Sequence, residues 1–194
     1  MERDTDLGDV LVAIARAAIR SELGLGETAA TDHASLAAPA ATFVTLRRGD
    51  LLRGCIGTVE PRRPLGEDVR ANAVAAAFHD PRFPPLAAHE FADTAIEVSL
   101  LGPSEPFPCA NEDDAAARLQ PGIDGVILQC GRHRATFLPQ VWQQVPDPRE
   151  FLVALKRKAG LPAGGWNNVT LARYTVSKYS ERAHLPNWGL LTVP

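Results

Sequence analysis

Cysteine is scarce in this chain, and its three copies, Cys55, Cys109 and Cys130, lie far apart among the 194 residues. An odd number of widely separated cysteines does not suit a disulfide framework, and it is more typical of a protein kept in a reducing cytosol. The sequence also has no CxxC motif, no HExxH motif and no close group of histidines and cysteines. We therefore expect a cytoplasmic protein with neither a structural zinc site nor another bound cofactor.

Neither sign of charge dominates the composition, since 20 Lys and Arg residues stand against 23 Asp and Glu residues and give a net charge of -3. Clustered basic side chains dominate the binding of a phosphate backbone, so this balance argues against general nucleic-acid binding. The glycine-rich motifs GxGxxG, GxxxxGKS and GxxxxGKT are absent as well. Their absence excludes nucleotide binding through those motifs.

Long apolar runs are missing too. The chain begins with acidic and polar residues, and the apolar stretch that follows is interrupted by Arg16 and Arg20. A secretory signal needs a basic start and an unbroken apolar segment, and a membrane-spanning helix needs about 20 apolar residues. We therefore expect neither a signal peptide nor a membrane span.

The segments that are present favour the α+β class. Apolar residues recur at helical spacing in four segments, and typical cap residues such as Asp147, followed by Pro148, mark helix ends. The predicted helices cover residues 7–23, 65–78, 111–119 and 147–159. Strands are predicted at residues 41–46, 51–58, 95–101, 126–130, 135–138 and 169–178. Hairpins that alternate with helices favour an antiparallel sheet over a doubly wound parallel one.

The strand predicted at residues 51–58 has an unusual composition, because it combines Arg53, Gly54, Cys55 and Gly57. Glycine weakens a strand and often marks a place where another group approaches the backbone closely. Alternation puts Arg53 and Cys55 on one face, roughly 6.5–7 Å apart. A nearby guanidinium favours the thiolate form of a cysteine, so this face is a candidate reactive site. The alternative is that Cys55 packs as a small buried apolar residue.

Three further charged residues are candidates for the site. Asp80 and Arg82 lie in a proline-rich loop, where they could hold an anionic ligand or pair with each other. Glu97 lies in the middle of the predicted strand 95–101 and could transfer protons, bind a cation or pair with Arg53. An ion pair between neighbouring strands is the alternative for Glu97.

Five segments together resemble the AMMECR domain family, which in prokaryotes is called system protein A of the AmmeMemoRadiSam system. They read LRGCIG at 52–57, DPRFPPL at 80–86, IEVSLL at 96–101, LPQV at 138–141 and KAGL at 158–161. The resemblance covers roughly residues 8–182. It implies a two-lobed α+β fold in which helices flank an antiparallel sheet, with a second, smaller lobe and a cleft lined by the Arg-Gly-Cys stretch.

The resemblance also implies the domain organisation and the partners. Residues 1–182 are expected to form a single domain with a larger and a smaller lobe, and residues 183–194 are expected to form an irregular C-terminal tail. In prokaryotes such domains are companions of a Memo-like protein, related to extradiol dioxygenases, and of a radical-SAM protein. The resemblance carries no settled biochemical activity.

Three hypotheses for the function follow. In the first, the protein is an enzyme or enzyme subunit that acts on a small anionic metabolite or a modified side chain. Cys55 would then act covalently or as a redox thiolate, and Glu97 would orient the substrate or exchange protons. The predicted ligand-binding residues are Arg53, Gly54, Gly57, Asp80 and Arg82. In the second, this surface binds the Memo-like and radical-SAM partners without catalysis. An RNA-associated role ranks lower, because the charge balance opposes it.

Overall fold

Residues 6–26, 32–162 and 164–181 are described by the computed structural model. The chain divides into two units: one contains the described residues up to Ser99 and from Lys178 onward, and the other contains Leu100–Ser177. Every strand pair with a defined register is antiparallel, and helices flank the sheets. The predicted α+β class is therefore confirmed. The predicted C-terminal tail, residues 183–194, lies outside the described residues.

The sheet of the first unit is built around a hairpin. Its strands β1 (Pro39–Arg48) and β2 (Leu51–Gly57) are joined by a two-residue turn, and β3 (Arg63–Pro64) pairs with the start of β1. With β4 (Ala95–Leu101) and β9 (Val176–Ser180), the strand order is β2-β1-β4-β9. β2 is consequently an edge strand.

Two helices pack in the first unit, and both were predicted. Asp6 caps α1 (Leu7–Glu22) by accepting a hydrogen bond from the backbone of Gly8 at 3.1 Å. Helix α2 (Leu65–Phe78) packs against α1 and against the β1–β2 hairpin. Its buried alanines have small side chains, which allow the helix backbone to approach the sheet closely.

A fully buried carboxylate, that of Asp68 on α2, ties this helix to the hairpin. It accepts hydrogen bonds from the backbone and hydroxyl of Thr42 at 2.9 and 2.7 Å and from the hydroxyl of Thr58 at 2.8 Å. The Asn72 amide and the Arg63 guanidinium also donate to it, each at 2.9 Å. A buried charge is tolerated when its acceptor positions are filled in this way.

The second unit has a sheet of its own. Its strands are β5 (Glu105–Pro106), β6 (Gly125–Cys130), β7 (His133–Phe137) and β8 (Thr170–Tyr174). The order is β5-β8-β6-β7, and β6 and β7 form the second predicted hairpin. This sheet contains none of the residues that we predicted for the site.

The core of the second unit lies between this sheet and two helices. Helix α3 (Glu112–Arg118) is capped by Asn111, and α4 (Pro148–Lys158) is capped by Asp147. The rings of Trp142 and Phe151 are stacked with their centroids 3.7 Å apart and are buried in this core. Aromatic stacking of this kind adds to the free energy gained from burying the rings.

One predicted strand is wrong, since residues 169–178 do not form a single element. The segment divides at Thr175, so that β8 belongs to the sheet of the second unit and β9 lies beside β4. The Thr175 carbonyl accepts a hydrogen bond from the backbone of Gly102 at 2.9 Å. The segment has no glycine or proline to mark the division, so its composition predicts one continuous strand.

Candidate functional site

A β-bulge lies at Arg53, in the middle of the strand that attracted attention in the sequence. Arg47 pairs with Leu52, but the next residue of β1, Leu46, pairs with Gly54. Arg53 is therefore the extra residue of β2 and has no partner on β1. A bulge bends the strand and changes the direction of the side chain that it carries.

The guanidinium of Arg53 forms a two-pronged ion pair with Glu90. The distances are 3.1 Å from Nε to Oε1 and 2.9 Å from Nη2 to Oε2. Nη1 and Nη2 also donate to the carbonyl oxygens of Pro84 and Pro85, at 2.9 and 3.3 Å. Only 9% of Arg53 is exposed. The carboxylate that pairs with Arg53 is thus Glu90 and not Glu97.

Glu90 lies in a short 3-10 helix, Ala88–Asp93, that follows the proline-rich loop. Its hydrogen bonds from Arg53, together with one from the backbone of Ala87, lower the pKa of Glu90 to about 2. Arg48 adds a further interaction at 3.0 Å. The carboxylate stays ionised at any pH near neutrality, and it fixes Arg53 in place.

Cys55 is held on both sides of its backbone by the proline-rich loop. Its N–H donates to Asp80 Oδ2 at 2.9 Å, and its carbonyl oxygen accepts from Arg82 Nη2 at 3.1 Å. The sulfur is half-buried and accepts a hydrogen bond from the hydroxyl of Thr45 at 3.4 Å. The two side chains from the loop therefore take hydrogen bonds that a neighbouring strand would otherwise provide.

Asp80 and Arg82 also bind each other, with Nε 2.9 Å from Oδ1 and Nη2 2.6 Å from Oδ2. The hydrogen bond from Arg82 holds the pKa of the buried Asp80 carboxyl well below its usual range. Conversely, the bond to Asp80 and, to a smaller extent, negative charge at Cys55 raise the pKa of Arg82. The side chain of Arg82 is 54% exposed, and its Nη1 has no hydrogen-bond partner among the described residues.

The two glycines of the strand are explained by neighbours that leave no room for a side chain. A Cβ atom on Gly54 would lie 2.1 Å from the carbonyl oxygen of Ala76 in α2. A Cβ atom on Gly57 would lie 2.2 Å from the ring of Phe43. The space beside these glycines is filled by protein atoms, and a ligand-binding role for Gly54 and Gly57 stays a prediction.

Glu97 is the predicted site residue that lies farthest from Cys55 in strand order. It forms an ion pair with Lys178 at 3.6 Å, and both side chains are partly exposed. Its strand is separated from β2 by β1. Because neighbouring strands lie about 4.8 Å apart, β4 and β2 are roughly 10 Å apart. A catalytic role for Glu97 stays a prediction.

The three cysteines differ in the direction of their hydrogen bonds. The thiols of Cys109 and Cys130 donate to carbonyl oxygens, those of Phe107 at 3.2 Å and Asn167 at 3.7 Å. Donation requires the protonated thiol, and burial raises the pKa of the Cys109 thiol. The sulfur of Cys55 instead accepts a hydrogen bond, which favours the thiolate.

Two residues of this site, Thr45 and Glu90, were not predicted from the sequence. Glu90 lies 37 positions after Arg53, and no motif connects the two. Thr45 lies in a strand with an ordinary composition, and only the strand register brings it to Cys55. The hairpin itself was predicted, so its register was the signal that could have indicated Thr45.

Groups of three or more His, Cys, Asp or Glu side chains that could hold a metal ion do not occur within the described ranges. In that same part of the chain, no helix has the length and apolar character to cross a membrane. The three cysteines are free.

Comparison with known proteins gives consistent similarities. A family described as AMMECR1 matches residues 12–179. A protein of Aeropyrum pernix is 36% identical over 192 residues, which cover 93% of this chain and 81% of that protein. A protein of Methanothermobacter thermautotrophicus is 43% identical over 121 residues, which cover 62% of this chain and 63% of that protein. The crystal structure of uncharacterized protein PH0010 from Pyrococcus horikoshii superposes with a TM-score of 0.77 at 33% identity, covering 90% of this chain and 91% of that one.

Proposed function

The chain belongs to the AMMECR1 family, and from this premise we propose that it is an enzyme or enzyme subunit whose reactive group is the Cys55 thiolate. The supporting observation is the hydrogen bond that the Cys55 sulfur accepts from Thr45. In the proposed reaction the thiolate attacks an electrophilic carbon of the substrate. A sulfur–carbon bond forms, and the leaving group departs with the electron pair of the bond that breaks.

The proposed substrate is a small anionic metabolite or a modified side chain, and we assign its anionic group to Arg82. The two N–H donors of Arg82 Nη1 are available, and Nη2 of the same guanidinium contacts the Cys55 carbonyl. A carboxylate or phosphate bound there would lie beside Cys55. Arg53 is less suitable, since four of its five N–H groups donate to acceptors within the protein.

The test is the rate of alkylation by iodoacetamide in the folded, full-length protein. The thiolate displaces iodide, and mass spectrometry of peptides measures each cysteine separately. We expect Cys55 to react at least about tenfold faster than Cys109 and Cys130 at pH 7, because only its sulfur accepts a hydrogen bond. Equal rates at the three cysteines would contradict the proposal.

Replacing Arg82 tests the proposed role of its charge. Arg82→Gln should slow the alkylation of Cys55 at pH 7, because the variant lacks the cation beside the thiolate. Arg62→Gln is the matched control, since Arg62 is exposed and pairs with Glu60. The control should react at the wild-type rate. An Arg82 variant that reacts as fast as the control would show that this charge does not assist Cys55.

A partner-binding module is the second candidate, and two exposed leucines favour it. Leu51 is 75% exposed and Leu52 is 36% exposed, both at the start of the edge strand β2. Exposed apolar side chains that adjoin one another are typical of interaction surfaces. The partners proposed here are the Memo-like and radical-SAM proteins that the resemblance implies.

Co-purification with each of these two proteins distinguishes the candidates. Leu51→Asp should abolish association if this surface binds a partner, whereas Ile123→Asp should not. Ile123 is a suitable control because it is also aliphatic and 53% exposed but lies in the second unit. If association survives Leu51→Asp, the partner hypothesis loses its supporting observation. If it survives Cys55→Ser while cellular function is lost, the chemical role of Cys55 gains support.

We also propose a cytoplasmic location. All three cysteines are free, and free thiols persist most readily in a reducing compartment. Cell fractionation with an antibody to the full-length protein would test this assignment. Recovery in another fraction would contradict it.

A further inference from the structure

The bulge at Arg53 determines which residue of β1 lies opposite Cys55. The hairpin turn pairs Arg48 with Leu51, and a regular register continued from there would put Val44 opposite Cys55. The extra residue at the bulge shifts the register by one position, so that Thr45 pairs with Cys55 instead. A shift of one residue also exchanges the faces of the strand. The bulge thus replaces an apolar neighbour of the thiol by a hydroxyl.

The Arg53 side chain is well placed to maintain this shift. It is anchored outside the hairpin by Glu90 and by the carbonyl oxygen of Pro84. Slipping the hairpin back into the regular register would move Arg53 away from these acceptors and leave a buried carboxylate without its partner. The register that brings Thr45 to Cys55 is therefore held by contacts away from Cys55.

Thr45 is a polar residue in an apolar part of its strand. Both of its neighbours, Val44 and Leu46, are fully buried, and Thr45 itself is 8% exposed. A buried hydroxyl needs a hydrogen-bond partner, whereas valine would fill the same volume without that need. Among the described residues, the partner of this hydroxyl is the Cys55 sulfur at 3.4 Å.

We infer that Thr45 is a positioning residue for the chemistry of Cys55, holding the sulfur in place and stabilising its ionised form. A hydroxyl donates a stronger hydrogen bond to an ionised acceptor than to a neutral one, so the bond favours the thiolate over the thiol. Thr45 has this role only if Cys55 is the reactive group, and the inference therefore rests on the proposed function. Thr45 itself contacts the sulfur and acts through it.

The test compares Thr45→Val with Thr45→Ser in the full-length protein, using iodoacetamide at a series of pH values from 7 to 10. Thr45→Val removes the hydroxyl but keeps the shape, and we expect alkylation of Cys55 at pH 7 to slow by about three- to tenfold. At pH 10 we expect this difference to vanish or reverse, because the thiol of the variant is then ionised and its thiolate lacks a hydrogen bond that restrains attack. Thr45→Ser keeps the donor and should follow the wild-type profile.

The shape of the pH profile distinguishes this role from a merely structural one. A change in packing or access would slow Cys55 by one constant factor at every pH, and that result would overturn the inference. An unchanged rate at pH 7 would overturn it as well. Thr45→Ala also lacks the hydroxyl and replaces Thr45→Val if the latter does not fold. If wild-type Cys55 reacts no faster than Cys109 and Cys130, the proposed function fails first and the role of Thr45 fails with it.

Discussion

At the scale of single residues, the LRGCIG segment combines packing requirements with one candidate reactive group. Gly54 and Gly57 allow α2 and the Phe43 ring to approach the strand, and Arg53 is bound to Glu90. Cys55 differs from them, because its sulfur is half-buried and accepts a hydrogen bond. The unusual composition therefore has more than one physical cause.

Gly54→Ala should destabilise the protein. Its Cβ atom would lie 2.1 Å from the Ala76 carbonyl oxygen, and a backbone atom in a packed helix cannot move away freely. Overpacking of this kind costs about 1–3 kcal/mol in the free energy of unfolding, which urea titration would measure. Gly66→Ala is the matched control, since its nearest neighbour, Leu36, would be 3.5 Å away. The packing explanation is wrong if both variants unfold at the same urea concentration.

At the scale of elements, the proline-rich loop and the 3-10 helix after it hold the edge strand in position. Asp80 and Arg82 bind the backbone of Cys55, while Glu90 and the carbonyl of Pro84 bind Arg53. The edge strand is thereby fixed at two successive odd-numbered positions. An edge covered in this manner is also less available for pairing with another chain.

Arg53→Lys should weaken this connection although it keeps the positive charge. Lysine has no planar fork and cannot donate to both oxygens of Glu90 and to Pro84 at once. We expect a loss of about 1–3 kcal/mol in the free energy of unfolding, measured by urea titration. Arg48→Lys is the control, because Arg48 is more exposed and makes a single bond to Glu90, and its effect should stay within about 0.5 kcal/mol. Equal losses in the two variants would contradict the proposed clamp.

At the scale of the whole molecule, two carboxylates make stability depend on acid pH. The pKa values of Glu90 and Asp80 are depressed by their arginine partners from ordinary values of 4.5 and 3.8. Carboxylates with depressed pKa values bind fewer protons in the folded state than in the unfolded state. Their contribution is therefore complete above about pH 4.5 and declines as the pH falls toward 2.

Glu90→Gln should reduce this pH dependence. The variant should be less stable than wild type at pH 6 but should lose less stability between pH 6 and pH 3, since it lacks the titrating group. One unit of pKa difference corresponds to about 1.4 kcal/mol, and partial solvent exposure brings the expected difference to roughly 1–2 kcal/mol. Urea titrations at the two pH values would measure it. Glu97→Gln is the control with a longer, more exposed ion pair, and a similar effect in both variants would contradict the assignment to Glu90.

Local patterns by themselves determined much of the fold. Apolar spacing predicted the helix at residues 65–78 and the strand at 95–101 with the observed bounds, and cap residues marked the start of the helix at Pro148. The family resemblance, drawn from short motifs, is confirmed by the match over residues 12–179. These features depend on residues a few positions apart, and such residues interact in any fold that forms the element.

Only the tertiary structure decided how the candidate site is assembled. The sequence could not reveal that Arg53 pairs with Glu90, because they meet through the folding of a loop. Nor could it place Thr45 beside Cys55, since that contact depends on a bulge that shifts the register by one residue. Hydrogen bonds between distant segments set both features, and such contacts leave no periodic trace in the sequence.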